Sequence, residues 1–569
     1  MRSRSRGALT ALAVLLALVG VFAALPPTAV AAEAGRARPS SARAVVADMQ
    51  PGWNLGNTFD ATGADETSWG NPRVTRELLS NVREQGFRSV RIPVTWGQHQ
   101  GGAPEWTIDA AYLERVREVV GWALDEGLYV LLNVHHDSWQ WVKDLPTRHD
   151  AVIERFTRTW EQIADAFRDA PRELLFESIN EPTFEGSSGD AQNAVLMDEL
   201  NTVFHGLVRE SGGANATRLL VLPTLHSSPE QARLDELAAT FAALDDPHLV
   251  ATVHFYGYWP FSVNIAGTTR FDATTRQDLT DTFDRVHDTF VAAGVPVIVG
   301  EYGLLGFDRS TSAIEQGEKL KFFEFLGTYA RQRQLTTMLW DNGQHFDRTA
   351  FTWRDPSLFR QIRSSWHVAS STASTDQVFV PRDGEPPDTT ITLDRNGNRL
   401  TGVRAGHDRL APGRDYTVAG DRLTLRAATL RRLTEDREYG VNAELTLRFS
   451  RGVPWSVYVI TYDTAVLQDA TGTTQSLVVP AAFNGDRLAT MEAVYDDGTF
   501  AGPQNWTSFK EYGAAFVPDT ANGTITLPAA FFAEVRDGST VTLTFHFWSG
   551  EKVTYTLERT GTTVTGTAV

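Results

Sequence analysis

Eight times between residues 52 and 366 a short apolar run ends in polar residues and gives way to an amphipathic helical pattern, and no other feature restricts the fold of this chain as much. The runs cover residues 52–57, 89–95, 129–137, 174–182, 219–223, 249–256, 295–302 and 336–341. Between them apolar residues recur every three or four positions, as in Leu113, Val116, Val120 and Leu124, or Phe156, Trp160, Ile163 and Phe167, or Leu279, Phe283, Val286 and Phe290. That period is the buried stripe of a helix, and strands alternating with helices indicate a parallel α/β fold. Eight repeats favour a closed (β/α)8 barrel, whose usual size is about 250 residues before insertions. An open doubly wound sheet is the competing fold. Polar residues at nearly every strand end favour the barrel, because only a barrel brings all the strand ends to one mouth.

At 569 residues the chain is too long for one core, and its 42% hydrophobic residues suit folded domains throughout. After His367 comes a small polar tract, Ser370-Ser371-Thr372-Ala373-Ser374-Thr375, which reads as a linker. Beyond it the helical period stops and the chain becomes β-rich. Residues 376 to 466 alternate in the manner of an immunoglobulin-like sandwich, with Leu445, Leu447, Phe449, Val457 and Val459 on apolar faces. From residue 467 onward lies a second β module. Its hairpin, residues 541–548 turning at Ser549-Gly550 into 552–557, puts Val541, Leu543, Phe545 and Phe547 on one face. Trp548 falls on the other face beside Thr544 and His546, as a ligand-binding or packing residue. The expected architecture is thus a barrel, residues 33–368, followed by two small all-β sandwiches, residues 369–466 and 467–569.

Arg2, Arg4 and Arg6 precede an apolar run over residues 8–25, and Ala29-Val30-Ala31-Ala32 follows, so residues 1–32 read as a secretory signal peptide rather than an anchor. No other apolar run approaches the ~20 residues of a membrane span. The mature chain is expected to be secreted, extracellular and monomeric. A net charge of -18 argues against nucleic acid and anionic membrane as partners and leaves a neutral polymer open. With no cysteine at all, thiolate metal sites, disulfides and cysteine nucleophiles are excluded.

Two of the runs stop in a glutamate: Leu174-Leu175-Phe176-Glu177-Ser178-Ile179-Asn180-Glu181-Pro182 and Pro296-Val297-Ile298-Val299-Gly300-Glu301-Tyr302. Two carboxylates converging at a barrel mouth are the minimum equipment for hydrolysing a glycosidic bond. Strand parity sends Arg91, Asn133, His135, Thr252, His254 and Tyr256 toward the same interior, and such residues are tolerated there only in a charge-balanced pocket. Retaining hydrolysis needs one carboxyl kept protonated and one kept ionised. Arg91 and Tyr256 beside Glu301 would favour its ionised form and the nucleophile's role, leaving Glu181 as acid/base with Asn180 at a sugar hydroxyl. From residue physics alone the two roles are interchangeable. Trp340 would be the floor under a sugar ring.

Asn180-Glu181-Pro182, with Arg91, His135, His254, Tyr256, Glu301 and Trp340, resembles the active-site set of glycoside hydrolase family 5, the retaining β-glycanases. The resemblance implies that Glu181 is the acid/base and Glu301 the nucleophile. Gly52-Trp53-Asn54-Leu55-Gly56-Asn57, Glu66-Thr67-Ser68-Trp69-Gly70-Asn71-Pro72 and Asn133-Val134-His135-His136-Asp137 resemble subfamily 4 of endo-β-1,4-glucanases, xyloglucanases and lichenases, which brings Asn54 and His136 into the substrate-binding set. Residues 376 to 466 resemble an X2 module. Residues from 467 onward resemble carbohydrate-binding module family 46, notably at Gly502-Pro503-Gln504-Asn505-Trp506 and Phe545-His546-Phe547-Trp548-Ser549-Gly550. The resemblance implies that this last module lies near the cleft and adds Trp506 and Trp548 to it.

Trp69, Trp96, Trp139, Trp141 and Trp259 fall in loops or strand ends and are expected to form stacking subsites along an open cleft. No cofactor or metal is expected. His135-His136-Asp137 is the one candidate for ligands, but neighbours on a strand point to opposite faces. A non-catalytic polysaccharide-binding protein is the rival of a different class. Among substrates, cellulose, mixed-linkage glucan and xyloglucan stay open, with mannan less favoured.

Overall fold

The computed structural model describes residues 41–569; the signal-peptide segment lies outside the described residues. Eight parallel strands close a barrel in sequence order: β1 (Gly52–Asn54), β2 (Ser89–Ile92), β3 (Tyr129–Asn133), β4 (Leu174–Glu177), β5 (Leu220–Pro223), β6 (Leu249–Phe255), β7 (Val297–Tyr302) and β8 (Thr336–Leu339). β1 pairs with β2 on one side and β8 on the other, so no edge is left to cover. The open sheet is thereby excluded.

The three helical stripes fold as read, into helices Ala110–Asp125, His149–Ala166 and Ala273–Val286. Their apolar faces lie on the outside of the barrel, in one core that includes Val116, Phe156, Trp160, Leu279 and Phe283. Inside, the two ends differ. Leu131, Leu175, Val221, Val250, Ile298 and Met338 fill the N-terminal end, and helix Ala42–Asp48 closes it with Val45 and Val46. The polar side chains are two to four positions further along the same strands, which confines charge to the C-terminal mouth.

The tract at 370–375 is not a loose linker. Ser370, Ser371 and Thr372 are buried, the Ser370 N–H donates to Glu324 at 2.8 Å, and Thr372–Ala373 pairs with strand Thr389–Asp394. Small side chains are what allow the backbone to approach the barrel so closely here. The following module is a sandwich of a four-stranded and a five-stranded sheet, with Leu445, Leu447, Val457 and Val459 in its core. The last module is a nine-stranded antiparallel sheet whose core holds Val541, Leu543, Phe545 and Phe547. Among the described residues no helix is long and apolar enough to cross a membrane.

Candidate active site

β4 ends at Glu177, not at Glu181. Glu177 points into the barrel and is fully buried, while Glu181 stands in the turn beyond, at a left-handed φ of 39°, with 44% of its side chain exposed. Glu301 is the fifth residue of β7, with 6% of its side chain exposed. A bulge lets Gly300 drop out of register, so that Val253 pairs with Val299 and His254 already with Glu301. This re-aims Glu301 into the mouth. A Cβ at Gly300 would lie 2.9 Å from Thr252 Oγ1 and 3.1 Å from His254 Nε2, so glycine alone fits without displacing them.

Arg91 organises the floor. Its Nε donates to Glu177 Oε2 at 2.9 Å, Nη1 to Glu301 Oε1 at 2.7 Å and to Asn54 Oδ1 at 3.1 Å, and Nη2 to Asn180 Oδ1 at 2.7 Å. Burial opposes the charge on Arg91, but Glu177 and Glu301 together hold its pKa above the ordinary value. Glu177 was not anticipated as a site residue. A third carboxylate beneath the pair has no periodic signature, although a buried arginine shared with one glutamate is a reason to look for another. Asn54 is also placed differently from the sequence reading: its amide donates to Gly300 O at 2.9 Å and accepts from Arg91, so it holds the strand of Glu301 and is fully buried.

Tyr256 donates its hydroxyl to Glu301 Oε2 at 2.6 Å. His254 Nδ1 lies 2.7 Å from Glu181 Oε1 and 3.5 Å from Glu301 Oε2. Burial alone would lower the His254 pKa, yet Glu301 and Glu181 outweigh it and raise it. Burial alone would raise Glu181, yet the hydrogen bond to His254 outweighs it and lowers it. The hydrogen bond to His254 thus favours the ionised form of Glu181 in the unliganded site, against the protonated form that the sequence reading assigned to it. Glu181, His254 and Glu301 each present an atom within 4.8 Å of the others.

Parity fails at His135 and His136. β3 stops at Asn133 and the chain turns toward helix Asp137–Gln140, so the two imidazoles meet edge to face at 4.4 Å instead of diverging. With Asp60 they offer three atoms within 4.8 Å, the spacing of a metal cage. Their hydrogen bonds do not suit one. Asn133 Oδ1 accepts from the Val94 N–H at 3.2 Å, which turns its amide N–H toward His135 Nδ1 at 3.1 Å. Trp139 Nε1 donates to His136 Nδ1 at 2.8 Å. Both rings therefore carry their proton on Nε2 and are donors, suited to hydroxyl oxygens and to Asp60 rather than to a cation. Burial, then His136 and Arg91, keep His135 well below the ordinary histidine pKa, hence neutral. Trp340 stacks parallel to His135 at 6.0 Å.

Of the five loop tryptophans, three are presented to solvent: Trp69, Trp139 and Trp259 are 39%, 45% and 41% exposed. Trp96 and Trp141 are core residues. Trp96 donates to Asn133 O at 2.9 Å, and Trp141 to Asp137 Oδ1 at 2.7 Å beneath Arg155. Trp69 and Trp139 each lie 5.3 Å from the His136 ring, on one flank of the mouth. On the other flank Trp259 comes within 6.0 Å of Trp506 from the last module, and Trp506 is 55% exposed. Trp548 lies elsewhere, with the Arg270 guanidinium 5.0 Å over its ring, so it is a contact between module and barrel.

Comparison with known proteins agrees with this layout. Residues 54–346 match the family model for cellulase (glycosyl hydrolase family 5), residues 372–459 that for carbohydrate binding domain X2, and residues 463–567 that for the carbohydrate binding domain CBM46. Over 570 residues, covering 100% of both chains, the sequence is 53% identical to "Endoglucanase B" of Paenibacillus lautus. The full-length tri-modular endo-β-1,4-glucanase B of Bacillus halodurans superposes with a TM-score of 0.91 at 51% identity, over 93% of this chain and 100% of that one. A tri-modular subfamily 4 endo-β-1,4-glucanase of Bacillus licheniformis, solved with cellotetraose, superposes with a TM-score of 0.78 at 32% identity, over 93% and 99%.

Proposed function

Because the chain belongs to glycosyl hydrolase family 5, we propose that its two mouth glutamates cleave β-glucan chains by double displacement with retention. It is an endo-β-1,4-glucanase of the subfamily 4 kind. The observation that carries the mechanism is the division of partners: Arg91 and Tyr256 both donate hydrogen bonds to Glu301, whereas among the described residues Glu181 is bound only to His254 and faces the open mouth.

In the first step Glu301 attacks the anomeric carbon while Glu181 gives a proton to the departing glycosidic oxygen. His254, one hydrogen bond away, hands that proton to Glu181 beforehand and takes one back once the second step has reprotonated the carboxyl. A covalent glycosyl ester on Glu301 results, and the shortened chain leaves. Glu181, now a carboxylate, takes a proton from water, the hydroxide oxygen bonds to the anomeric carbon, and Glu301 is released. The approach within 4.8 Å supports a carboxyl pair at the about 5–5.5 Å typical of retaining enzymes, and not the wider gap that holds a water between them. Proton NMR of the first-formed product tests this. The β-anomer is expected, and an initial α-anomer rejects double displacement. Azide rescue of Glu181→Ala should give the β-glycosyl azide, and of Glu301→Gly the α-azide.

The open rows at Trp69 and Trp139 and at Trp259 and Trp506 favour long chains, and we assign cellulose, mixed-linkage β-glucan and xyloglucan as substrates. Rates on carboxymethylcellulose, barley β-glucan, xyloglucan and mannan, with and without residues 467–569, test both the range and the module's part in it. Equal rates after truncation reject that part. We further propose that residues 1–32 direct export and that the mature chain acts as a monomer. Protein sequencing of the culture supernatant and sedimentation equilibrium check these two points.

A further inference from the structure

We propose that Glu315 seats the C-terminal module against the cleft and is thereby a specificity-determining positioning residue for extended glucan chains. This rests on the reading that Trp506 extends the cleft.

Glu315 belongs to the barrel. It follows the loop after β7, the strand of Glu301, and caps helix Gln316–Gln332. Its Oε2 accepts from the Gly317 and Glu318 N–H groups at 2.7 and 3.3 Å. Its Oε1 accepts from Gln377 Nε2 at 2.9 Å and from Arg487 Nη2 at 3.1 Å. One oxygen is enough to cap a helix. The other takes one donor from each of the two β modules, so a single buried carboxylate binds all three parts of the chain.

Each partner leads to the cleft by a short path. Arg487 precedes strand Leu488–Tyr495, whose Met491 O accepts from the Lys510 N–H at 2.8 Å and whose Ala493 N–H donates to Ser508 O at 2.9 Å. Those residues close the loop that carries Trp506, and Lys510 Nζ ties the loop internally to Pro503 O and Thr507 O, both at 3.0 Å. On the barrel side Asn264, five residues after Trp259, donates to Ala313 O and to Ala489 O at 3.0 Å each. The paths to Trp259 and to Trp506 therefore start within a few residues of Glu315. Apolar packing reaches the seat through Ala313, which is buried in the core of the last module, but a gap opens beside it. A cavity of about 500 Å³ separates the surfaces, lined by Glu315, Lys319, Arg487, Tyr512 and Trp548. Where packing is open, directional bonds to a buried charge decide the register.

The test uses the full chain. Glu315→Gln keeps a carbonyl oxygen for the helix cap and turns an amide N–H₂ toward Gln377 and Arg487, donor against donor. Arg487→Gln breaks the same contact from the other side and leaves the cap untouched, so it decides the matter should the first variant fold poorly. Both are compared with Trp506→Ala on xyloglucan and on a short aryl cellobioside. Glu315→Gln and Arg487→Gln are each expected to lower kcat/KM on xyloglucan about tenfold, the size of one lost charge-assisted hydrogen bond, and to leave the aryl cellobioside unchanged. Adding Glu315→Gln to Trp506→Ala should cost nothing further, because both act through one contact. Equal losses on both substrates, or additive losses in the double variant, indicate a merely structural role and overturn the proposal. Wild-type rates in both seating variants with a clear loss in Trp506→Ala reject Glu315 and keep the cleft reading. No effect of Trp506→Ala rejects the cleft reading itself and the proposal with it.

Discussion

His254 Nδ1 stands 2.7 Å from Glu181 Oε1, close enough for one proton to pass between imidazole and carboxyl. His254 is raised against its burial by Glu301 and Glu181, and Glu181 is lowered against its burial by His254. Each group thus favours the charged form of the other in the free site.

Activity should fall at high pH when the pair loses this proton. The basic limb of kcat/KM is expected above 6.5, the ordinary histidine value, and His254→Asn should move it to lower pH. The stability of the pair follows the same signs. The contribution of His254 is full below 6.5 and is lost as pH rises through its raised folded value. That of Glu181 is full above 4.5 and is lost as pH falls through its lowered folded value. Urea unfolding of wild type and His254→Asn across pH should differ most in the mildly acid to neutral range. A difference that stays the same as pH is taken beyond that range, upward through the raised His254 value or downward through the lowered Glu181 value, rejects the coupling.

Tyr256→Phe removes a hydrogen bond to a carboxylate without changing the shape of the site. Such a bond contributes about 1.5–3 kcal/mol, so kcat should drop about 10- to 150-fold, a larger effect than on the melting temperature. Steady-state kinetics beside calorimetry measures both.

Arg91→Met leaves Glu177 and Glu301 buried without a counter-charge. The expected cost is about 3–5 kcal/mol in denaturant unfolding. Adding Glu177→Gln should recover part of that stability and none of the activity, since Glu301 still lacks its cation. Full recovery of turnover in the double variant contradicts the role given to Arg91.

Trp96→Ala and Trp259→Ala separate core from cleft. The first empties a fully buried site and should cost about 3–5 kcal/mol of stability. The second removes a surface ring and should raise KM on polymeric glucan about 2- to 10-fold, as for loss of one stacking contact, with unfolding unaffected. Reversed outcomes contradict the placement of these rings.

The sequence alone was enough for the barrel, because periods of two and 3.6 residues are local properties that any window of chain displays. It was enough, too, for the parity of Arg91, His254 and Tyr256, since all three lie on regular strand or at its end. Parity broke at His135 and His136, where the strand had already stopped at Asn133. The rest was decided by contacts between residues far apart in the chain. Trp96 and Trp139 sit in similar local patterns, yet one is buried and the other exposed, because burial depends on what packs over a residue from elsewhere. Glu177 and Glu181 are two carboxylates four residues apart, and only Arg91 from β2 makes the first a counter-ion while His254 from β6 makes the second a proton acceptor. Periodicity travels along the chain and can be read from it. Ion pairing and burial are sums over neighbours brought together by folding, and only the tertiary structure says which neighbours those are.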